Sequence, residues 1–211
     1  MAVIRRQEFF KSRRSSPVPF FSGRSSVVDY YDGRLADGNQ LLNTSEMVFA
    51  MYYAPWCLAS IEARDQFDAL ATHFGQRRGL FVAVNCWDPG GRCRQEKKMH
   101  GYPLLELSTT ANARLRYRGV VSADHMYRFL EVSTDPLQRL QNDMDVTEFL
   151  AMVEARVVGY FNFDCRSKAR GYTSFYLASL KALEKDPLRN AVVFAVVTDP
   201  MVATKLNLTD S

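Results

Sequence analysis

Eight consecutive apolar residues, "MVFAMYYA" at 47–54, run through Pro55 and Trp56 into Cys57 and then into a segment of helical spacing. A strand-length run with no alternation reads as a strand covered on both faces. In 57–74, Ile61, Phe67, Leu70, Ala71 and Phe74 fall on one stripe with charges between them, so an amphipathic helix is expected. Gly75 and Gly79 bracket its end. "LFVAVNCW" at 80–87 is a second buried-type run. Strand, helix and strand of this kind call for a parallel crossover inside an α/β layer fold.

The neighbouring segments extend that pattern. "VVDYY" (27–31) reads as a short strand, "ADGNQLLNTSE" (36–46) as a short helix or turn, and "CRQEKKMH" (93–100) as a polar helix ended by Gly101. After Pro103, "LLELSTT" and "RLRYRG" read as a hairpin. "SADHMYRFLEVS" (122–133) has Ser122 as N-cap and an apolar face of Met126, Phe129 and Leu130. The predicted architecture is a mixed central sheet with helices on both faces. The theme then restarts, with a helix over 145–154, a strand over 157–163, a helix over 173–185, a strand over 191–198 and a helix over 200–208 opened by Pro200. Repetition of a large unit fits tandem domains. The expected division is a basic arm over 1–24, a first domain over 25–134 and a second over 135–211. The second lacks the closing hairpin and helix of the first, which leaves a sheet edge unpaired. It is expected to be truncated, and the chain to be a piece of a longer one.

A hydrophobic share of 47% belongs to a globular chain. The net charge of +4 is modest, and six basic residues (Arg5, Arg6, Lys11, Arg13, Arg14, Arg24) stand in the first 24 with Glu8 as the single acid. That arm is Ser-rich and broken by Pro17 and Pro19; it is expected to be poorly ordered, as a solvated arm or a membrane-surface segment. No aromatic-interleaved basic stripe follows, so nucleic-acid binding is not expected. No stretch has the apolar length of a transmembrane helix, and the first 20 residues lack a signal-peptide core. The chain is therefore either cytosolic or preceded by a targeting segment. Two glycosylation sequons, at Asn43 and Asn207, give weak support to a lumenal location, since chance alone supplies about one.

Four cysteines are too few for a disulfide scaffold and enough for local redox structure. Cys57 sits where the strand hands over to the helix. The free N–H groups and dipole of a helix start favour a thiolate and lower a thiol pKa. On spacing alone, a small buried hydrophobe would look the same. Cys86 and Cys93 close the loop "NCWDPGGRC", in which Gly90 and Gly91 permit a tight turn. They can join in an oxidising compartment and stay free thiols in a reducing one. His73, His100 and His125 are too distant in sequence to complete a zinc site with them. No metal or cofactor is expected.

"YYAPWC" after a buried strand, "YP" at 102–103 and "YRG" at 117–119 before a helix resemble the thioredoxin fold. Within it they resemble the protein disulfide isomerase family, whose motif reads F-Y-A-P-W-C-x-x-C. The resemblance covers about residues 27–133. It implies that Pro103 is a cis-proline beside the catalytic Cys57. It also implies a substrate groove formed by Pro55, Trp56, Tyr102 and Pro103, and a structural disulfide between Cys86 and Cys93. Three departures stand against a full dithiol oxidoreductase. Ser60 replaces the resolving cysteine, and a hydroxyl cannot release a mixed disulfide as a second thiolate does. Met51 stands where the family has a buried carboxylate, and Val121 where it has an arginine after "YRG". What remains is monothiol chemistry, in which Cys57 holds a client until an outside thiol frees it. Residues 136–208 are similar to the family's non-catalytic b-type domain, which binds clients or partners through an apolar face. Cys165, in "CRSK" without Trp or Pro before it, reads as an incidental thiol.

Taken together, "PFFSGRSSVVDYYDG", "YYAPWCLAS", "FVAVNCW…GRCR", "YRG" and "VVGYFNF" are similar to a membrane-anchored, multi-domain branch of this family in the endoplasmic reticulum. That likeness runs from about residue 17 to 208. It implies a lumenal role in the folding or redox handling of glycoproteins, with dual oxidases as the client class. It also implies an anchor before residue 1 and a C-x-x-C domain after residue 211. The expected partners are cysteine-bearing client proteins, with a membrane reached only through a segment outside this chain. Two functions fit. One is a folding and redox factor that makes mixed disulfides at Cys57. The other is a non-catalytic binding scaffold in which Cys57 is a relic. A cytosolic redox sensor ranks below both, since sensors carry a resolving thiol nearby.

Overall fold

The computed structural model describes residues 17–34, 41–43, 45–74, 78–97, 99–111, 113–152, 155–163 and 171–208. The basic arm up to residue 16, most of the 36–46 segment, Gly75, Cys165 and the sequon residues Thr44 and Thr209 lie outside them.

The elements of the first sheet are β1 (Val28–Tyr30), β2 (Met47–Tyr53), α1 (Leu58–Phe74), β3 (Leu80–Asn85), α2 (Arg92–Glu96), β4 (Leu104–Thr109), β5 (Arg114–Tyr117) and α3 (Ala123–Thr134). Its strand order is β1-β3-β2-β4-β5. β2 is central, parallel to β3 with Ala50 opposite Val82, and antiparallel to β4 with Met51 opposite Leu105. This explains why 47–53 shows no polar face. Met47, Phe49, Met51 and Tyr53 enter the large core with Phe67, Leu70, Phe81, Met126 and Phe129. Val48, Ala50 and Tyr52 enter a second core with Cys86, Cys93 and Val84 on the opposite face. Alternate side chains of one strand thus supply two layers.

The stripe on α1 differs from the expectation. Its buried residues are Ser60, Ala63, Phe67, Leu70, Ala71 and Phe74, while Ile61 is 37% exposed. The spacing 60-63-67-70-74 follows one face, and Ile61 lies about 100° round from Ser60. The α2 helix ends at Glu96, short of the expected 100, because Lys97 turns to extended backbone (φ −96°, ψ 117°). Its ammonium reaches Glu106 on β4 at 3.0 Å. Ser122 caps α3, its Oγ accepting the His125 N–H, and Met126, Phe129 and Leu130 are fully buried.

The second half holds β6 (Gln138–Leu140), α4 (Asp143–Ala151), β7 (Ala155–Tyr160), α5 (Tyr172–Ala182), β8 (Val192–Val197) and α6 (Pro200–Lys205). Its strands form a separate, wholly parallel sheet in the order β6-β8-β7. The β6 strand, three residues long, was not expected from "DPLQRL"; its pairing with β8 makes it a strand. The α4 helix starts two residues before the expected 145, because Asn142 Oδ1 accepts the N–H groups of Met144 and Asp145. Pro200 stands at the start of α6 behind an Asp199 cap. The molecule is thus α/β, with a mixed central sheet flanked by helices and a parallel sheet beside it. The large core crosses the expected boundary at residue 134, since Leu180 and Leu183 of the α5 segment pack into it.

Candidate functional site

The site lies where β2 ends and α1 begins. Tyr53 and Ala54 are fully buried, and the strand end is tied to β3 by the Cys86 N–H, which donates to Tyr53 O at 2.9 Å. The chain then turns through exposed Pro55 and Trp56. The Cys57 N–H donates to Ala54 O and the Cys57 carbonyl accepts from Ile61 N, both at 3.0 Å. Cys57 therefore closes the turn and opens the helix. Its thiol is free and partly exposed.

The Tyr102–Pro103 bond is cis, and the Cys57 thiol points at Tyr102 O across 3.5 Å. The Tyr102 hydroxyl donates to Cys86 O at 2.9 Å. One tyrosine thus joins the proline turn, the thiol and the end of β3. Burial pushes its phenol pKa up; Arg94 opposes this and Cys57 adds to it. Pro55, Trp56, Cys57, Tyr102 and Pro103 therefore share one site. Cys86 and Cys93 are joined with their Cα atoms 4.9 Å apart, and both are fully buried.

Three residues after Cys57, the chain turns a hydroxyl inward. Ser60 is fully buried, and its Oγ accepts the Ala54 N–H at 3.5 Å. Met51 is fully buried in the large core, and Val121 is 39% exposed on the surface. Asn43 and Asn207 are exposed. Among the described residues no group of three His, Cys, Asp or Glu side chains could hold a metal ion.

Several residues that shape this site escaped the sequence reading. Trp56, 60% exposed, meets Trp87, 41% exposed, edge to face at 4.9 Å. The Arg94 guanidinium lies over the Trp87 ring at 4.3 Å and donates to Trp87 O at 2.7 Å. Asn85 Oδ1 accepts the N–H groups of Trp87 and Asp88, while its Nδ2 donates to Tyr31 O. Gly33 (φ +74°) crosses Gly91 so closely that a Cβ on Gly91 would sit 2.8 Å from Gly33 Cα. The available signal was a tryptophan inside the polar, Gly/Pro-rich "WDPGGR", where an aromatic has no core to fill.

No family model matches the chain. It is 34% identical to thioredoxin domain-containing protein 11 of Bos taurus over 195 residues, 92% of this chain and 20% of that protein. The Homo sapiens protein of the same name is also 34% identical, over 169 residues, 80% of this chain and 17% of that protein. A protein disulfide-isomerase of Aspergillus oryzae is 22% identical over 158 residues, 75% of this chain and 29% of its own length. The chain belongs to the protein disulfide isomerase and thioredoxin superfamily. It spans about a fifth of the length of the superfamily members first named. Two crystal forms of human ERp44 share the fold of this superfamily member. Form I has a TM-score of 0.54 and 20% identity, covering 85% of this chain and 46% of that one. Form II has 0.55 and 19%, covering 88% and 50%. The relatives found by sequence are thus a thioredoxin domain-containing protein and protein disulfide-isomerases.

Proposed function

We propose that this chain is the client-engaging part of an endoplasmic-reticulum folding and redox factor, in which Cys57 forms mixed disulfides that no thiol of the site resolves. The observation that carries the reading is the pairing of a partly exposed Cys57, aimed at the cis-Pro103 turn, with a buried hydroxyl at residue 60. The entering step is thiol–disulfide exchange. The Cys57 thiolate attacks one sulfur of a client disulfide and bonds to it. The other client sulfur leaves with the electron pair of the broken bond and takes up the proton that Cys57 gave up. Release repeats the exchange with a small thiol of the compartment as the attacking group. The backbone carbonyl of Tyr102 and the exposed Trp56 offer an extended client one polar and one apolar contact beside the reacting sulfur.

The family resemblance supports cysteine-bearing glycoproteins of the dual-oxidase type as clients. It also supports tandem domains divided near residue 134, and a membrane anchor carried elsewhere in the protein. In the same reading Asn43 and Asn207 are glycosylation acceptors and the Cys86–Cys93 disulfide is structural.

The test is trapping. The chain is expressed in the endoplasmic reticulum, thiols are alkylated at lysis, and wild type is compared with Cys57→Ser on non-reducing gels. Adducts present in wild type and lost in Cys57→Ser are expected. Identical gels would overturn the monothiol reading and favour a scaffold whose partners bind without a covalent bond.

A further inference from the structure

We propose that Arg94, stacked on Trp87, selects clients that carry a carboxylate next to the reacting cysteine; this rests on the monothiol reading of Cys57. A continuous ledge runs from the thiol outward. Trp56 adjoins Cys57 in the chain, Trp87 meets Trp56 at 4.9 Å, and Arg94 caps Trp87 at 4.3 Å. Both indoles are exposed although each could bury a large apolar area. The ledge is held in place from beneath. The Cys86–Cys93 disulfide closes the loop that carries Trp87. Asn85 takes the Trp87 and Asp88 N–H groups, and Arg94 itself ties down Trp87 O.

Beside Trp87, Asp88 accepts the Gly90 N–H at 2.7 Å, and the nearby glutamates are taken up in ion pairs. Glu96 pairs with Arg92 at 2.7 Å, and Glu106 pairs with Lys97 at 3.0 Å. Among the described residues no carboxylate is paired with Arg94. One of its N–H groups serves Trp87 O, and the planar fork keeps further donors for a carboxylate. Tyr102, whose carbonyl faces the thiol, donates its hydroxyl to Cys86 O at the start of the loop that carries Trp87, which ties the thiol's turn to the ledge. A client strand crossing the cis-Pro103 turn would lay the side chain beside its cysteine along this ledge.

The probe is a set of short peptides whose single cysteine is a 2-pyridyl disulfide. The Cys57 thiolate bonds to the peptide sulfur, the S–S bond breaks, and 2-thiopyridone leaves with the proton and is read by absorbance. Peptides with Asp, Asn or Lys at each position flanking the cysteine are compared, with Cys57→Ser as blank. The expected result is an Asp peptide that reacts about three- to fivefold faster than its Asn partner, the span of a solvent-accessible ion pair. That ratio should shrink in high salt, fall to about one in Arg94→Gln, survive in part in Arg94→Lys, and invert in favour of Lys in Arg94→Glu. An Asp/Asn ratio that is the same in wild type and Arg94→Gln overturns the proposal while leaving the thiol reading intact. If no peptide reacts above the Cys57→Ser blank, the thiol reading falls, and the proposal with it.

Discussion

Ser60 and Tyr117 show how single side chains set what the fold can do. Ser60 lies on the inward stripe of α1, so a client in the groove cannot reach its hydroxyl, which is spent on the Ala54 N–H. Cysteine is close to serine in size, so Ser60→Cys restores a thiol three residues after Cys57 with little repacking. A second thiolate there would attack the Cys57–client bond. Trapped adducts on non-reducing gels are expected to fall several-fold relative to wild type, the client leaving as a free thiol and Cys57 ending in an internal disulfide with the introduced sulfur. Adducts of undiminished yield would mean that Met51 and Val121 leave the new thiol inert. Tyr117 packs in the large core and donates its hydroxyl to Val120 O at 2.7 Å. Burial pushes its pKa from 10.0 to about 12. A phenol raised on folding contributes stability that is whole below the unfolded value and is lost as pH climbs through the folded one. The urea midpoint should therefore fall between pH 10 and about 12, and Tyr117→Phe should lessen that slope. Tyr53, pushed up by burial and by Asp29, adds a loss of the same sign that also begins at the unfolded value.

Among the elements, the loop between β3 and α2 is the one on which the site depends. It is pinned by the Cys86–Cys93 disulfide, by the Asn85 amide and by the crossing of Gly91 over Gly33. The crossing brings two backbones into contact, so neither neighbour can swing aside as a side chain would. A Cβ at Gly91 would meet Gly33 Cα at 2.8 Å and Gly33 O at 3.0 Å. It would also strain the bond from Cys93 N to Gly33 O, now 3.1 Å. Gly91→Ala is expected to destabilise the fold by about 1–3 kcal/mol, as overpacking does. It should also change the fluorescence of Trp87, because the loop must lift. Chemical denaturation followed by tryptophan emission reads both effects at once. An unchanged midpoint would show that the two loops can slide apart without penalty.

At the scale of the whole molecule, the two sheets are separate but their packing is shared. Leu180 and Leu183 are buried in the cluster that also holds Phe49, Phe67 and Phe129. Glu184 accepts the backbone N–H of Arg116, on the outer strand β5, at 2.9 Å. Arg189 donates to Asp135 O at 2.7 Å. A charged side chain on an outer strand also blocks the addition of a foreign one. Both tryptophans of the chain, Trp56 and Trp87, stand in the first half, so their emission reports that half alone. Leu180→Ala removes a fully buried leucine of the second half and is expected to cost about 2–5 kcal/mol. The tryptophan-detected midpoint should move with the far-ultraviolet one. If the tryptophan midpoint stays where it is, the halves unfold independently.

The sequence by itself determined the elements whose signal is local and long. The unbroken apolar runs of β2 and β3 required strands covered on both sides, and the hairpin after Pro103 and the Ser122 cap were equally direct. So was the chemistry of the motif, because "APWC" with Ser60 states which sulfur is present and which is absent. Only the tertiary structure decided the rest. Ser60 rather than Ile61 faces inward because α1 is rotated to seat Phe67 and Phe74 on the sheet, and one residue of rotation is invisible to a count of apolar spacings. With three residues, β6 carries no period at all and exists because β8 lies beside it. Leu180 and Leu183 pack into the core of the first sheet because burial follows distance in space, and a repeat of elements along the chain says nothing of that. The ledge of Trp56, Trp87 and Arg94 joins residues from two loops and from α2 through a ring contact and a cation over a ring. A sequence specifies each of those groups, and the fold alone specifies that they touch.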